Sequence, residues 1–115
     1  MINQIKEDPE DKLKNVENAV LVFFASWCGD CLRSLNYEKK LARDFEGKIS
    51  FYRMDAEEYE KIADKYGVEN YPTFVFFKKD KSQKEILVEP SSEDEIRKWI
   101  SSFEKRKSRK SLLKQ

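Results

Sequence analysis

Short apolar runs alternate with amphipathic segments along this chain, and the alternation predicts an α/β protein. The apolar run at residues 20–25 is typical of a central strand that is buried on both faces. Further strands are predicted at residues 2–5, 49–54, 73–77 and 85–88. A polar connector, residues 78–84, joins the last two strands as an antiparallel hairpin.

Helices are predicted between these strands and after the last one. The first begins at Asp8-Pro9, a cap residue followed by proline, and runs to about residues 15–17. Gly47 and Gly67 end the second and third helices, and Ser92-Glu93-Asp94-Glu95 is a capping box that opens the last. The predicted inward side chains are Leu13 and Val16, then Leu35, Leu41, Ala42 and Phe45, then Tyr59, Ile62, Ala63 and Tyr66, and finally Ile96, Trp99, Ile100 and Phe103. The resulting order is β-α-β-α-β-α-β-β-α.

The only two cysteines, Cys28 and Cys31, stand three positions apart where the apolar strand meets the second helix. A helix N-terminus favours the thiolate, and a thiolate exchanges disulfides because it attacks and leaves readily. A static disulfide and half of a zinc site are the alternatives. The first would close too small a loop to stabilise much, and zinc takes four ligands in a chain that has no histidine. We therefore expect redox chemistry, with no metal and no cofactor.

The length and charge of the chain indicate a single domain and argue against a general nucleic-acid-binding protein. The 115 residues suit one domain, predicted at residues 1–107, followed by a basic tail at 108–115. We expect the tail to be solvated, with an acidic partner, anionic lipid or nucleic acid as the alternative. The chain has 23 Lys and Arg residues and 22 Asp and Glu residues, so its net charge is near zero. It therefore has no overall positive field that would attract nucleic acid. Serines 26, 34 and 92 have no histidine to activate them, which argues against a serine hydrolase.

The chain carries no evident targeting or membrane segment. No stretch reaches the roughly 18 apolar residues of a membrane span. The first residues lack the apolar segment of a secretory signal. We therefore expect a cytoplasmic protein without membrane contact, and a monomer.

The string Trp27-Cys28-Gly29-Asp30-Cys31, with Tyr71-Pro72-Thr73 downstream, resembles the thioredoxin family. The resemblance extends from about residue 2 to about residue 103. It implies the thioredoxin fold, an α/β fold with a central mixed sheet of about five strands flanked by about four helices. It also implies a thiol–disulfide oxidoreductase that reduces disulfides in protein substrates and is recharged by thioredoxin reductase or a small thiol.

The resemblance also assigns roles to individual residues. Cys28 resembles the family's nucleophile, and Cys31 resembles its resolving thiol. Pro72 resembles the family's cis-proline, which faces the disulfide beside an extended substrate, and Trp27 resembles a wall of the site. The expected substrate-binding residues are Trp27, Gly29, Asp30, Tyr71 and Pro72.

Several positions depart from the family pattern. Asp30 replaces a proline between the cysteines, Val22 a buried aspartate, Phe51 the lysine that pairs with it, Asn36 a helix-kinking proline and Glu89 a glycine. Two apolar residues would then replace a buried charge pair and avoid its desolvation cost. Cys31 would lose its proton to water, to Asp30 or to the substrate. These departures motivate an alternative function, a thioredoxin-fold binding or redox-regulatory module with weak turnover.

Asp30 has two possible effects at the start of the second helix. Its charge opposes ionisation of Cys28, whereas the helix N-terminus favours it, and we expect the helix to prevail narrowly. Alternatively, Asp30 is an ordinary acid of the first turn, which the helix dipole favours. Both effects can operate together.

Overall fold

The computed structural model describes residues 2–78 and 84–113, and for residue 84 and residues 104–113 it describes the backbone alone. The strands are β1 (Asn3–Gln4), β2 (Ala19–Phe24), β3 (Ser50–Asp55), β4 (Thr73–Phe77) and β5 (Lys84–Val88). The helices are α1 (Pro9–Lys12), α2 (Gly29–Asp44), α3 (Glu60–Lys65) and α4 (Glu93–Leu113). Within these ranges, no helix combines the length and the apolar character needed to cross a bilayer.

The strands form one mixed sheet in the order β1-β3-β2-β4-β5. β1, β3 and β2 run parallel, whereas β4 is antiparallel to β2 and β5 is antiparallel to β4. Every residue of the central strand β2 is buried, as its continuous apolar run requires. The predicted fold class, a mixed sheet flanked by helices, is confirmed, and so is the terminal hairpin.

Helices cover both faces of the sheet. Because successive strand residues point to opposite faces, Leu21 and Phe23 pack on one side and Val20 and Val22 on the other. The first face carries Leu13, Ala63 and Tyr66 from the α1 and α3 regions, and the second carries Leu41, Phe45, Ile96, Ile100 and Phe103 from the α2 and α4 regions. The carboxyl end of β2 leads into α2, which is where open α/β sheets place their chemistry.

The extent of α1 differs from the sequence expectation. The prediction reached residues 15–17, whereas α1 ends at Lys12. Asp8 caps the helix as predicted and accepts a backbone N–H of the first turn at 2.9 Å. The chain leaves helical geometry at Leu13, and the Val16 N–H then donates to the Leu13 carbonyl at 3.0 Å. This turn still directs both apolar side chains inward, so the inward pattern is right although the helix is shorter.

The predicted helix ends and the last helix start are confirmed. Gly47 and Gly67, just past α2 and α3, have positive φ values of 85° and 72°. At α4, the Ser92 hydroxyl oxygen accepts the Glu95 N–H at 3.2 Å. The Glu95 carboxylate accepts the N–H of Ser91 at 2.8 Å rather than that of the cap residue itself.

Two sequence predictions concern segments near the limits of the described residues. Most of the polar hairpin connector, residues 79–83, lies outside the described residues. The division predicted at residue 107 falls within the backbone of α4, whose side chains are described only as far as Phe103. The solvated basic tail therefore stays a prediction.

The register between β2 and β3 shows which residues of β3 lie around Val22. Val22 lies beside Arg53, whereas Phe51 lies beside Val20. Phe51 and Val22 are nevertheless buried in the same apolar cluster, as expected, and the direct neighbour of Val22 on β3 is Arg53. Phe51 and Arg53 point to the same face, and sequence alternation cannot tell one register from the other.

A buried ion pair joins α2 to the sheet at this point. The fully buried Glu38 accepts hydrogen bonds from Arg53 Nε at 2.9 Å and from the Ser34 hydroxyl at 2.7 Å. The Arg53 guanidinium also lies over the Phe24 ring, with its carbon 4.0 Å from the ring centroid. Val22 and Phe51 are apolar and buried as expected, and the chain carries a buried charge pair at a different place, with its acid on α2.

The ionisation of Glu38 predicts a pH dependence of stability. Burial raises the pKa of Glu38 above its ordinary 4.5, although Arg53 and Ser34 oppose the shift. The folded state keeps this proton where the unfolded chain has lost it, so the contribution of Glu38 is complete below pH 4.5 and is lost as the pH rises through the folded value. We expect the free energy of unfolding of Glu38→Gln, relative to the unmodified protein, to rise with pH in this window by up to about 1.4 kcal/mol per pH unit.

Urea unfolding of both proteins from pH 4.5 upward measures this difference. Asp44→Asn is the matched control, because it removes a carboxylate from the exposed side of the same helix, where Asp44 pairs with Arg97 at 2.7 Å. A flat difference would mean that Arg53 and Ser34 cancel the effect of burial on Glu38, and a difference that falls with pH would mean that they outweigh it.

Candidate active site

The two cysteines stand at the turn between β2 and α2. The Cys28 N–H donates to the Ala25 carbonyl at 3.1 Å, so the chain turns directly from the strand into the helix. Cys28 is the N-cap residue of α2, and its sulfur accepts the N–H of Cys31 at 3.3 Å. The directed N–H and the positive end of the helix dipole both favour negative charge on this sulfur. The sequence therefore places one thiol at the start of a helix, with a backbone N–H directed at its sulfur.

Cys31 occupies a different environment on the buried face of α2. It is 2% exposed, against 7% for Cys28, and both are free thiols. Burial, and then the side-chain hydrogen bond with Cys28, raises the pKa of Cys31 to about 12, while the Ala25 backbone and the Arg53 charge oppose the shift. The second thiol is therefore held in its protonated form.

Tyr71 and Pro72 border the cysteines from the loop before β4. Their peptide bond is cis. The Cys28 thiol donates to the Tyr71 carbonyl at 3.7 Å, and the Pro72 carbonyl accepts the Glu89 N–H at 2.9 Å. The Tyr71 ring packs against the small cluster that both cysteines form with Phe24 and Ala25. The loop thus lies directly against the sulfur of Cys28.

Trp27 projects from the site and is held in place by its ring nitrogen. Its side chain is 68% exposed, which is unusual for so large an apolar group. The indole N–H donates to the Glu57 carboxylate at 2.7 Å, and the ring meets Tyr71 edge to face at 6.0 Å between centroids. Trp27 therefore presents a fixed apolar face beside Cys28.

Asp30 lies in the first turn of α2 and forms an ion pair with Arg33. Both side chains are mostly exposed. The expectation for Asp30 took the acid alone and missed its pairing with this arginine. A cleft of about 310 Å³ runs from this pair past the cis-proline; its lining comprises Asp30, Arg33, Ser34, Tyr37, Pro72, Glu89, Pro90 and Ser91.

The buried polar residues behind the cysteines were also missed. Ser34 and Glu38 share the buried face of α2 with Cys31 and Leu41. Phe24, over which the Arg53 guanidinium lies, packs with both cysteines, so the ion pair borders the thiol cluster. A signal for Glu38 was present, because it falls on the helical stripe between Cys31 and Leu41.

The structure brings most of the predicted site residues to one surface. Cys28 and Cys31 lie together, with Trp27, Tyr71 and Pro72 around them. Gly29 begins α2, and a Cβ added there would meet no atom within 4 Å, so the surface beside Cys28 is open. Asp30 lines the cleft and pairs with Arg33.

The chain is similar to known proteins both in sequence and in fold. The thioredoxin family model matches residues 2–102. The chain is 31% identical to the thioredoxin of Borreliella burgdorferi over 98 residues, which cover 85% of this chain and 83% of that protein. It is 35% identical over 83 residues, 70% of its length, to the chloroplastic thioredoxin M4 of Arabidopsis thaliana. The chain spans only 43% of that relative, and 41% of the chloroplastic thioredoxin Y1.

A solved structure agrees with these sequence matches. The crystallised thioredoxin of Fasciola hepatica is 30% identical and superposes with a TM-score of 0.69, over 81% of this chain and 86% of that chain. The family match includes the whole sheet, both cysteines and the cis-proline. By its fold, its cysteine pair and its relatives, this chain belongs to the thioredoxin family.

Proposed function

We propose that this chain is a thiol–disulfide oxidoreductase that reduces disulfides in protein substrates. The observation that carries the proposal is the position of the Cys28 sulfur. It caps α2, accepts the Cys31 N–H at 3.3 Å and lies against the Tyr71 carbonyl, with the second thiol buried behind it. One thiol is thus placed to attack, and the other to resolve the product.

The reaction begins with the Cys28 thiolate. It attacks one sulfur of the substrate disulfide, forms a mixed disulfide with that sulfur and expels the other as a thiolate. The positive end of α2 favours the thiolate before attack. It also makes Cys28 a good leaving group if the reaction reverses, so the direction depends on the relative reduction potentials.

Cys31 completes the reaction. Its sulfur loses a proton and attacks the Cys28 sulfur, which breaks the mixed disulfide and releases the second substrate thiolate. The products are a Cys28–Cys31 disulfide and a reduced substrate, so two electrons pass to the substrate. A thioredoxin reductase or a small thiol then returns the protein to its dithiol form.

The substrate-binding surface consists of Trp27, Gly29, Asp30, Tyr71 and Pro72. An extended substrate segment lies along Pro72, with the fixed face of Trp27 on one side. The open surface at Gly29 gives the substrate sulfur access to Cys28. The cleft between Asp30 and Glu89 receives the neighbouring substrate residues.

The cellular setting is part of the same proposal. A protein whose only cysteines form a redox pair suits a reducing compartment, and we place it in the cytoplasm. There it acts as a monomer in electron transport and cell redox homeostasis. Size-exclusion chromatography with light scattering tests the monomer, and a dimer at micromolar concentration would contradict it.

One observation favours the alternative of a binding or regulatory module with weak turnover. Glu89, at a position bordering the cleft, has a φ of 44°, which is uncommon for a residue other than glycine. Glu89 lines the cleft together with Pro72, along which a substrate backbone would pass, and it places a charged residue there. A surface modified in this way would select one partner rather than many.

An insulin reduction assay driven by dithiothreitol separates the two functions. We expect turnover within an order of magnitude of that of an ordinary thioredoxin, because the attacking and the resolving thiol are both in place. Glu89→Gly is the matched variant. Turnover more than tenfold lower in the unmodified chain, restored by Glu89→Gly, would favour the binding module.

Cys31→Ser tests the roles of the two thiols. Without the resolving thiol, the mixed disulfide cannot be released, so covalent adducts with substrate proteins should accumulate through Cys28. Non-reducing gels and mass spectrometry detect them. Cys28→Ser is the control, and equal adduct formation by that variant would mean that the assigned roles are wrong.

The Asp30–Arg33 pair predicts two opposite effects on Cys28. In a Cys31→Ser background, Asp30→Asn removes the negative charge and should speed the alkylation of Cys28 by iodoacetamide about threefold at neutral pH. Arg33→Gln leaves the acid unpaired and should slow it by a similar factor. Both effects should shrink in 1 M salt, where the Debye length is about 3 Å. Unchanged rates in both variants would leave Asp30 as a helix-start residue only.

A further inference from the structure

The resolving step needs a proton acceptor inside the protein. This inference rests on the proposed function, in which Cys31 attacks the mixed disulfide. Cys31 is 2% exposed, and burial, the largest cause of its raised pKa, still acts on it when Cys28 is held in the mixed disulfide. Once substrate covers Cys28, solvent access to Cys31 falls further. A base that reaches Cys31 from inside the protein would remove this barrier.

A line of buried polar side chains leads away from Cys31 along α2. Ser34 follows Cys31 by three residues and Glu38 follows Ser34 by four, so the three share one face of the helix. All three are buried, at 2%, 4% and 0% exposure. The Ser34 hydroxyl donates to Glu38 Oε2 at 2.7 Å. A serine hydroxyl that donates to a carboxylate keeps its lone pairs available to accept from a neighbour one turn away.

The charges around Glu38 suit a proton acceptor. Arg53, on β3, faces it and donates to Oε1 at 2.9 Å, which leaves Oε2 to Ser34. Two charged residues of α4 beside α2 form ion pairs away from Glu38. Glu93 pairs with Lys40, and Arg97 pairs with Asp44. Burial raises the pKa of Glu38, which makes it a stronger base than an exposed carboxylate at neutral pH.

We propose that Glu38 accepts the Cys31 proton through the Ser34 hydroxyl when Cys31 attacks the mixed disulfide. The Cys31 proton passes to the Ser34 oxygen as the Ser34 proton passes to Glu38 Oε2. The Cys31 sulfur then forms its bond with the Cys28 sulfur, and the electron pair of the broken bond leaves with the substrate thiolate. Glu38 ends as a neutral carboxylic acid hydrogen-bonded to Ser34, and Arg53 retains its charge.

The same path returns the proton. Ser34 lines the cleft beside Pro72 although its side chain is nearly buried. The proton of Glu38 therefore reaches the departing substrate thiolate, or water in the cleft, through the hydroxyl that delivered it. Glu38 acts only through Ser34 and does not touch the reacting sulfurs, so it is a positioning and proton-holding residue.

Ellman's reagent separates the two chemical steps in one experiment. Less than one equivalent is mixed with the reduced protein in a stopped-flow instrument. The first thionitrobenzoate is released when Cys28 attacks, and the second is released when Cys31 resolves the mixed disulfide. Thionitrobenzoate leaves without needing a proton, so the second phase depends on the deprotonation of Cys31.

We expect Glu38→Gln and Ser34→Ala to slow the second phase tenfold or more and to leave the first phase unchanged. In the unmodified protein, the second phase should slow as the pH falls through the pKa of Glu38, above 4.5, and this inflection should disappear in both variants. Ser34→Thr keeps a hydroxyl and should restore most of the rate. Asp44→Asn, which removes a carboxylate from the exposed side of α2, should match the unmodified protein.

The outcomes distinguish this inference from the proposed function. A missing first phase would overturn the proposed function itself. A normal first phase, with an unchanged second phase in Glu38→Gln, would overturn the role of Glu38. If Glu38→Gln fails to fold, Ser34→Ala alone is the test, because this variant keeps the Glu38–Arg53 pair. An unchanged second phase in Ser34→Ala would overturn the proton transfer through Ser34.

Discussion

The buried ion pair between Glu38 and Arg53 fixes where α2 rests on the sheet. A carboxylate taken out of water loses several kcal/mol of hydration, and this cost is offset only when its hydrogen bonds are made in good geometry. Glu38 finds them in Arg53 and Ser34, so α2 has one position in which the pair is satisfied. Because Cys28 and Cys31 stand at the start of α2, that position also decides where the thiols lie relative to Pro72.

Two thiols three residues apart acquire different chemistry from this placement. Cys28 lies at the helix terminus, where a backbone N–H points at its sulfur. Cys31 lies one turn further on, on the buried face, and keeps its proton. The difference arises from the start of a single helix and needs no metal and no imidazole.

The sequence predicts the parts of this site that depend on local rules. The run at residues 20–25 predicted β2, the spacing of the cysteines placed them at a helix start, and Gly47 and Gly67 marked helix ends. The partner of Val22 could not be predicted, because a shift of two residues leaves every side chain on the same face. Glu38 was missed for another reason. A charged residue is normally expected to be exposed. The burial of Glu38 depends on its ion pair with Arg53, which lies far away in sequence on β3.

The location of the buried acid on a helix has a mechanical consequence. Cys31, Ser34 and Glu38 belong to one rigid element, so a small tilt of α2 as substrate docks moves the thiol, the hydroxyl and the carboxylate together. Arg53 stays with the sheet, so such a tilt would stretch the ion pair between α2 and β3. An acid carried by β2 would instead remain with the sheet while the thiol moved away from it. The distance between Cys31 and Glu38 therefore stays constant during such a tilt. The distance that changes is the one between Glu38 and Arg53.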